Sequence, residues 1–304
     1  MKKWGVWSLL LSLGLGILIF LIFQLDLHAA RFALFEADFG LLLTAIAIQL
    51  FLITMRAVKW YVLTIAIGGE LSLLSFAGKY LIYFSISSLT PMRSADVFAP
   101  FAISTDREQR KRLYIALALD RLIEGIVLLV LCLVCIIYLF PILFSLSFSI
   151  YIPVFLILLT LVGLCIIWIL KRFKSWIIEG VDTWRSLSWF ARTRQIALNL
   201  MVWMLDFSYL YLIIRAIGKV TIPFLHSVIF HIGSIVFSIL TFVPMGIGTG
   251  AISYVYLAKQ YGYPEEVIIL ATISAKLIYL LLLITLFIIG LIIQWMNQTK
   301  HRGA

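Results

Sequence analysis

The residues able to do chemistry in this chain are charges that its apolar segments should not contain. Lys79, Arg93, Arg121 and Lys276 stand against Asp96, Asp120, Glu124 and Asp206 within or beside long hydrophobic runs, four of each sign. A lone charge at mid-bilayer costs roughly 2.5–3.5 kcal/mol on insertion scales. An equal count of opposite signs therefore predicts pairs around a polar cavity. Asp120 and Glu124 are spaced i, i+4 and share one helix face. Structural pairing without a ligand, or snorkelling to an interface, explains the same residues more plainly. Arg93 and Lys276 carry the greater promise because they stand beside or opposite two helix breaks.

The first break is Thr90-Pro91, with Pro100 soon after, and the second is Pro244-Met-Gly246-Ile-Gly248-Thr-Gly250. A broken helix leaves backbone N–H groups free at the start of its second arm. Those groups, with an arginine or lysine nearby, bind a phosphate. Ala251 is predicted to open such an arm after the glycines. A tight turn with no ligand is the alternative, and no Gly-Lys-Ser/Thr follows to make this a nucleotide loop. The candidate binding residues are thus Pro91, Arg93, Asp96, Asp120, Arg121, Glu124, Asp206, Pro244, Gly246, Gly248, Gly250 and Lys276.

The elements that must position them are membrane helices. Of 304 residues 63% are hydrophobic and 12% charged, where soluble domains run near 45–50% and 25%. Mean hydropathy is +1.12. This excludes an ordinary soluble fold and predicts one all-α polytopic membrane domain over 1–304. Full spans are expected at about 5–25, 40–58, 113–139, 150–170, 196–214 and 266–295. The run at 5–25 is too long for a signal-peptide core and is read as a retained span. Two broken regions, 75–103 and 224–258, look unable to cross normally: 75–90 makes a helix of about 24 Å and the return arm 251–258 one of about 12 Å, against a hydrocarbon core of about 30 Å, although 224–243 alone is long enough just to span.

Net charge of +10 suggests nucleic acid only until the charges are placed. With both termini in the cytoplasm of a plasma-membrane protein, sixteen basic residues fall inside. They include Lys2, Lys3, Arg56, Lys59, the 107–112 cluster and the 171–195 linker. Arg31, Arg215, Lys219 and Lys259 fall outside, as the positive-inside rule demands. That tally gives +11 inside, −1 outside and zero in the membrane. It requires 75–103 to enter and leave from the inner side, and 224–258 from the outer side. Both regions are then re-entrant, and 1–140 and 150–295 become two halves of inverted topology, an organisation found in transporters whose breaks mark the site.

Other features carry less. Cys132-x-x-Cys135 and Cys165 lie in apolar runs and read as small packing residues. His226 and His231 are five apart, share no face well, and do not suggest a metal. No cofactor is expected. The 171–195 linker is either an amphipathic segment on an anionic leaflet or a plain loop.

Four short motifs then carry a likeness. Arg56-x-x-x-Trp60, Pro91-x-Arg93-x-Ala95-Asp96, Asp120-Arg121-Leu122 and Pro244-Met-Gly246-Ile-Gly248, in that order, resemble the lysylphosphatidylglycerol synthase transmembrane-region family. That family is the flippase-like membrane domain of the multiple peptide resistance factor. Its pattern favours Gly-Glu where Ala95-Asp96 stands, and a glutamate where this chain has Ala251. The resemblance implies a distant member without the soluble synthase domain, hence not an enzyme. It implies a translocase for an anionic phospholipid or a polyprenyl-phosphate-linked glycolipid, with membrane lipids as partners through their anionic headgroups. Two alternatives stay open: a non-catalytic membrane partner of a glycosyltransferase or lipid synthase, and a lipid-modifying transferase using Asp120 and Glu124.

Overall fold

The computed structural model describes residues 35–145, 174–218, 220–241 and 249–302. The spans expected at 5–25 and 150–170, and the break residues Pro244, Gly246 and Gly248, lie outside these. The described residues form α-helices and one 3-10 helix: α1 Phe39–Ala66, α2 Leu73–Ser88, the 3-10 helix Pro91–Phe98, α3 Ala99–Ile103, α4 Arg107–Ser145, α5 Lys174–Ser186, α6 Trp189–Gly218, α7 Phe224–Thr241, α8 Thr249–Gln260 and α9 Glu265–Arg302. Among them α1, α6 and α9 are long and apolar enough to cross a membrane. The chain is an all-α membrane protein.

Local chemistry sets the ends of these helices. Asp38 caps α1 by accepting from the Leu41 N–H at 3.0 Å, and Asp106 accepts from Gln109 N–H at 2.7 Å to open α4. Glu265 and Glu266 occupy the first turn of α9, where the positive end of the helix dipole favours carboxylates. The helix α1 does not stop at the predicted residue 58. Its apolar sequence continues through Tyr61-Val-Leu-Thr-Ile-Ala, carrying the helix two turns past Lys59.

An antiparallel pair, α1 and α6, runs through the centre and packs most extensively of all. The Asp38 N–H donates to the Ala216 carbonyl at 2.9 Å at one end, and Lys59 Nζ donates to Asn199 Oδ1 at 2.7 Å toward the other. The next closest pairing is α2 against α9. There a Cβ on Gly290 would come within 2.9 Å of the Gly78 carbonyl, so the helices approach at a distance only glycine permits.

Two hairpins open at opposite ends of this pair. The first leaves the end of α1, runs up α2, breaks at Thr90-Pro91 and returns through the 3-10 helix and α3. Lys79 Nζ donates to the Ile103 carbonyl at 2.6 Å, and Gln109 Nε2 donates to the Glu70 carbonyl at 2.7 Å. The chain is therefore back beside its point of entry. The second leaves the end of α6, beside the start of α1. It runs along α7 and returns along α8 until the Tyr263 hydroxyl meets His226 Nδ1 at 2.8 Å. The predicted linker is not a plain loop throughout, since Lys174–Ser186 is helical and Glu179 pairs with Lys111 at 2.8 Å.

Candidate functional site

The buried charges form one connected network. It begins on α4, where Asp120 and Glu124 present one face. Lys59 of α1 lies 3.2 Å from Asp120 and 3.6 Å from Glu124. Gln195 Nε2 donates to Asp120 at 3.0 Å, and Asn199 holds the lysine from the other side. Glu124 continues the chain of contacts to Arg121, its i+3 partner, and to Arg56 at 4.0 Å. Arg121 reaches Asp96 at 3.0 Å. Asp96 also accepts from the hydroxyls of Tyr83 and Ser87 and lies 3.5 Å from Arg93. On the far side Arg56 Nη2 meets Asp206 Oδ2 at 3.4 Å, and His231 Nε2 approaches the same oxygen at 3.7 Å.

This geometry corrects the sequence reading in three places. Arg56 and Lys59, assigned above to the cytoplasm, belong to the network, and Lys59 is only 2% exposed. Their burial follows from the length of α1, which places them within the helix rather than at its end. The zero sum of membrane charges changes accordingly. Lys79 stands apart from the network with its ammonium on the Ile103 carbonyl. Arg56, Lys59, Arg93, Arg121 and Lys276 then face Asp96, Asp120, Glu124 and Asp206, giving five cations and four carboxylates. His231, passed over because its spacing from His226 suits no metal, is instead a partner of Asp206.

A cavity of about 290 Å³ lies against one end of the network. Arg93, Asp206, Lys276 and Gly250 line it, as do Arg56, His231, Ser88, Ala251 and Tyr279. Both breaks reach it: Ser88 and Arg93 flank the first, while Gly250 and Ala251 form the first turn of α8 after the second. Gly250 lets α8 approach α7 closely, since a Cβ there would stand 2.7 Å from the hydroxyls of Ser234 and Ser238, which would have to turn away. Asp96, Asp120, Arg121 and Glu124 do not line the cavity; behind it Asp96 faces Arg93 and Glu124 faces Arg56 of the wall, while Asp120 and Arg121 pair within the network. Pro91 opens the 3-10 helix that carries Arg93.

Arg93 is held in an unusual conformation. Its φ is 53°, the left-handed region that an arginine seldom adopts and that costs of order 1–3 kcal/mol. Its N–H still donates to the Thr90 carbonyl at 3.1 Å, and its guanidinium stacks 4.8 Å above the Phe84 ring. Two of its donors, Nε and Nη1, are buried without a hydrogen-bond partner. Arg56 Nε, His231 Nδ1 and Gln49 Oε1, all on residues of the cavity wall, are in the same condition. Buried polar groups are nearly always satisfied, so the unmet hydrogen-bonding capacity of Arg93, Arg56, His231 and Gln49 sets this wall apart. Beside His231, the described wall carries three cations, Arg56, Arg93 and Lys276, and one carboxylate, Asp206. Among the described residues no cluster of His, Cys, Asp and Glu is arranged as a metal site.

Comparison with known proteins gives one finding. No curated protein and no solved structure matches the chain. A family model described as the lysylphosphatidylglycerol synthase TM region matches residues 5–287, nearly the whole sequence and every element of the site. The chain belongs to the lysylphosphatidylglycerol synthase transmembrane-region family.

Proposed function

We propose that this protein is a lipid translocase, moving an anionic phospholipid or a polyprenyl-phosphate-linked glycolipid between leaflets. The observation that carries the reading is the cavity where the two breaks meet, with its excess of cations and its unpartnered arginine donors. A phosphate there accepts from Arg93 and Arg56, lies within the field of Lys276, and meets the start of α8 at Gly250 and Ala251. Acyl or prenyl tails remain in lipid while the headgroup passes.

The two hairpins, opening at opposite ends of the α1–α6 pair, support a reading of 1–140 and 150–295 as inverted halves. Rocking of one hairpin against the other would expose the cavity to each side in turn. The surplus of basic residues at the inner side, still predominant after Arg56 and Lys59 move into the membrane, supports a plasma-membrane location with cytoplasmic termini. This reading assigns no bond-making step, hence no enzyme activity, and names membrane lipids as the partners.

Reconstitution tests it. Purified protein in liposomes should move fluorescent phosphatidylglycerol or a polyprenyl phosphate faster than protein-free vesicles. Equal rates for every anionic lipid tried would overturn it.

A further inference from the structure

Histidine is the side-chain type whose ordinary charge change falls between pH 5 and 8, and the described wall of the cavity holds one, His231. It stands on α7 and faces Asp206 of α6, Arg56 of α1, Lys276 of α9 and Arg93 of the 3-10 helix across the cavity. Tyr209, Tyr254 and Tyr279 complete the titratable groups around it, and Glu124 of α4 stands behind Arg56. Its ring packs edge-on against Phe207 at 5.7 Å, which fixes its direction. The decisive detail is that Arg56 Nη2 and His231 Nε2 converge on a single oxygen, Asp206 Oδ2, at 3.4 and 3.7 Å. Asp206 is also the only carboxylate on the described wall of the cavity.

We propose that His231, with Asp206, is a proton-binding site that carries one proton together with each anionic headgroup. In the empty cavity Arg56 occupies Asp206 and repels an imidazolium. A phosphate entering the cavity draws the Arg56 guanidinium toward itself. Asp206 then loses that guanidinium while keeping the field of Lys276, and His231 takes a proton from solution and replaces Arg56 on the same oxygen. By reciprocity a protonated His231 releases Arg56 and raises the affinity for phosphate. Proton and anion enter and leave together, and the loaded cavity carries the same charge as the empty one. Translocation is therefore electroneutral and driven by a proton gradient.

The proposal rests on the translocase reading, and the test separates the two. Proteoliposomes of phosphatidylcholine with a trace of acyl-labelled phosphatidylglycerol are brought to steady state under an imposed pH difference, and each leaflet is assayed by dithionite bleaching. One-to-one coupling shifts the leaflet ratio by about tenfold per pH unit toward the alkaline side, whatever the rate. H231Q should abolish that shift even where residual movement persists. Wild-type protein that moves lipid but leaves the ratio near that of protein-free vesicles overturns the coupling alone, as does H231Q that keeps the shift. Wild-type protein that moves no lipid overturns the translocase reading and the coupling with it. The wild type by itself can sink the proposal, so the test does not depend on the variant folding.

Discussion

The network of buried charges has a closed end and an open end, and they differ in how fully their polar groups are met. At the closed end Lys59 is held by Asp120, Glu124 and Asn199, and Asp120 by Lys59 and Gln195. Lys59 and Asp120 are both fully enclosed. At the open end the wall carries three cations and one carboxylate, and several donors have no acceptor. The same residue types thus serve two purposes, and what decides is the ratio of acceptors to donors. The paired charges of the closed end lock α1, α4 and α6 together, while the N–H groups left unmet at the open end are what a phosphate would use in the function proposed above.

The most severe way to break this contrast is at the closed end. Lys59→Met leaves Asp120 and Glu124 buried with less compensation, and removing one partner of a buried pair typically costs about 3–5 kcal/mol. Thermal unfolding of the detergent-solubilised protein should show a large loss; an unchanged midpoint would mean that the closed end is not structural. At the open end the expectation reverses. Arg93→Gln should lower lipid movement by about tenfold or more, the value of a charge-assisted hydrogen bond or two, with little change in unfolding. Asp96 retains Arg121, Tyr83 and Ser87 in that variant. A stability loss in step with the transport loss would instead make Arg93 part of the support.

A milder test adds an acceptor rather than removing a donor. Ala251→Glu places a carboxylate on the cavity wall, at the position where the family pattern has one. It should slow anionic lipids several-fold, about 1 kcal/mol in barrier, and improve the relative rate of a lipid with a cationic headgroup. Flux of phosphatidylglycerol and its lysyl ester, side by side, measures this. The smallest effect is expected outside the network, at Lys111 and Glu179. Glu179 holds the Lys111 ammonium above the usual lysine range by hydrogen bond and charge. A raised lysine pKa favours folding below the unfolded value and loses that benefit only as pH climbs past the folded one. Both groups are largely exposed, so Lys111→Ala should leave unfolding and its pH dependence through neutrality unchanged.

Much of this was legible before any coordinates, and the exceptions share a cause. Hydropathy marks α1, α4, α6 and α9, and Pro91 and the glycines before Thr249 mark the two breaks. The acids Asp96, Asp120, Glu124 and Asp206 are conspicuous because nothing apolar surrounds a carboxylate without reason. Arg56 and Lys59 were misplaced because a basic residue near the end of an apolar run fits a snorkelling position equally well. Only the further eight residues of Tyr61-Val-Leu-Thr-Ile-Ala-Ile-Gly, read as more helix, would have signalled that they lie within it. His231 was missed for another reason. Its partner Asp206 is distant in sequence and on another helix, and no local spacing encodes that meeting. Gln195 and Asn199, one turn apart on α6, look like ordinary polar residues near a helix start until Asp120 and Lys59 are placed against them.

Arg56 belongs to both ends at once, 4.0 Å from Glu124 and 3.4 Å from Asp206. A headgroup that recruits it must outcompete acceptors the protein already owns. The complex is consequently weaker than the count of cations suggests, and the internal carboxylates regain their guanidinium as the headgroup departs. For the carrier proposed above this would be an advantage in turnover: a site that returns its own ligand set to itself releases cargo quickly and does not become a trap.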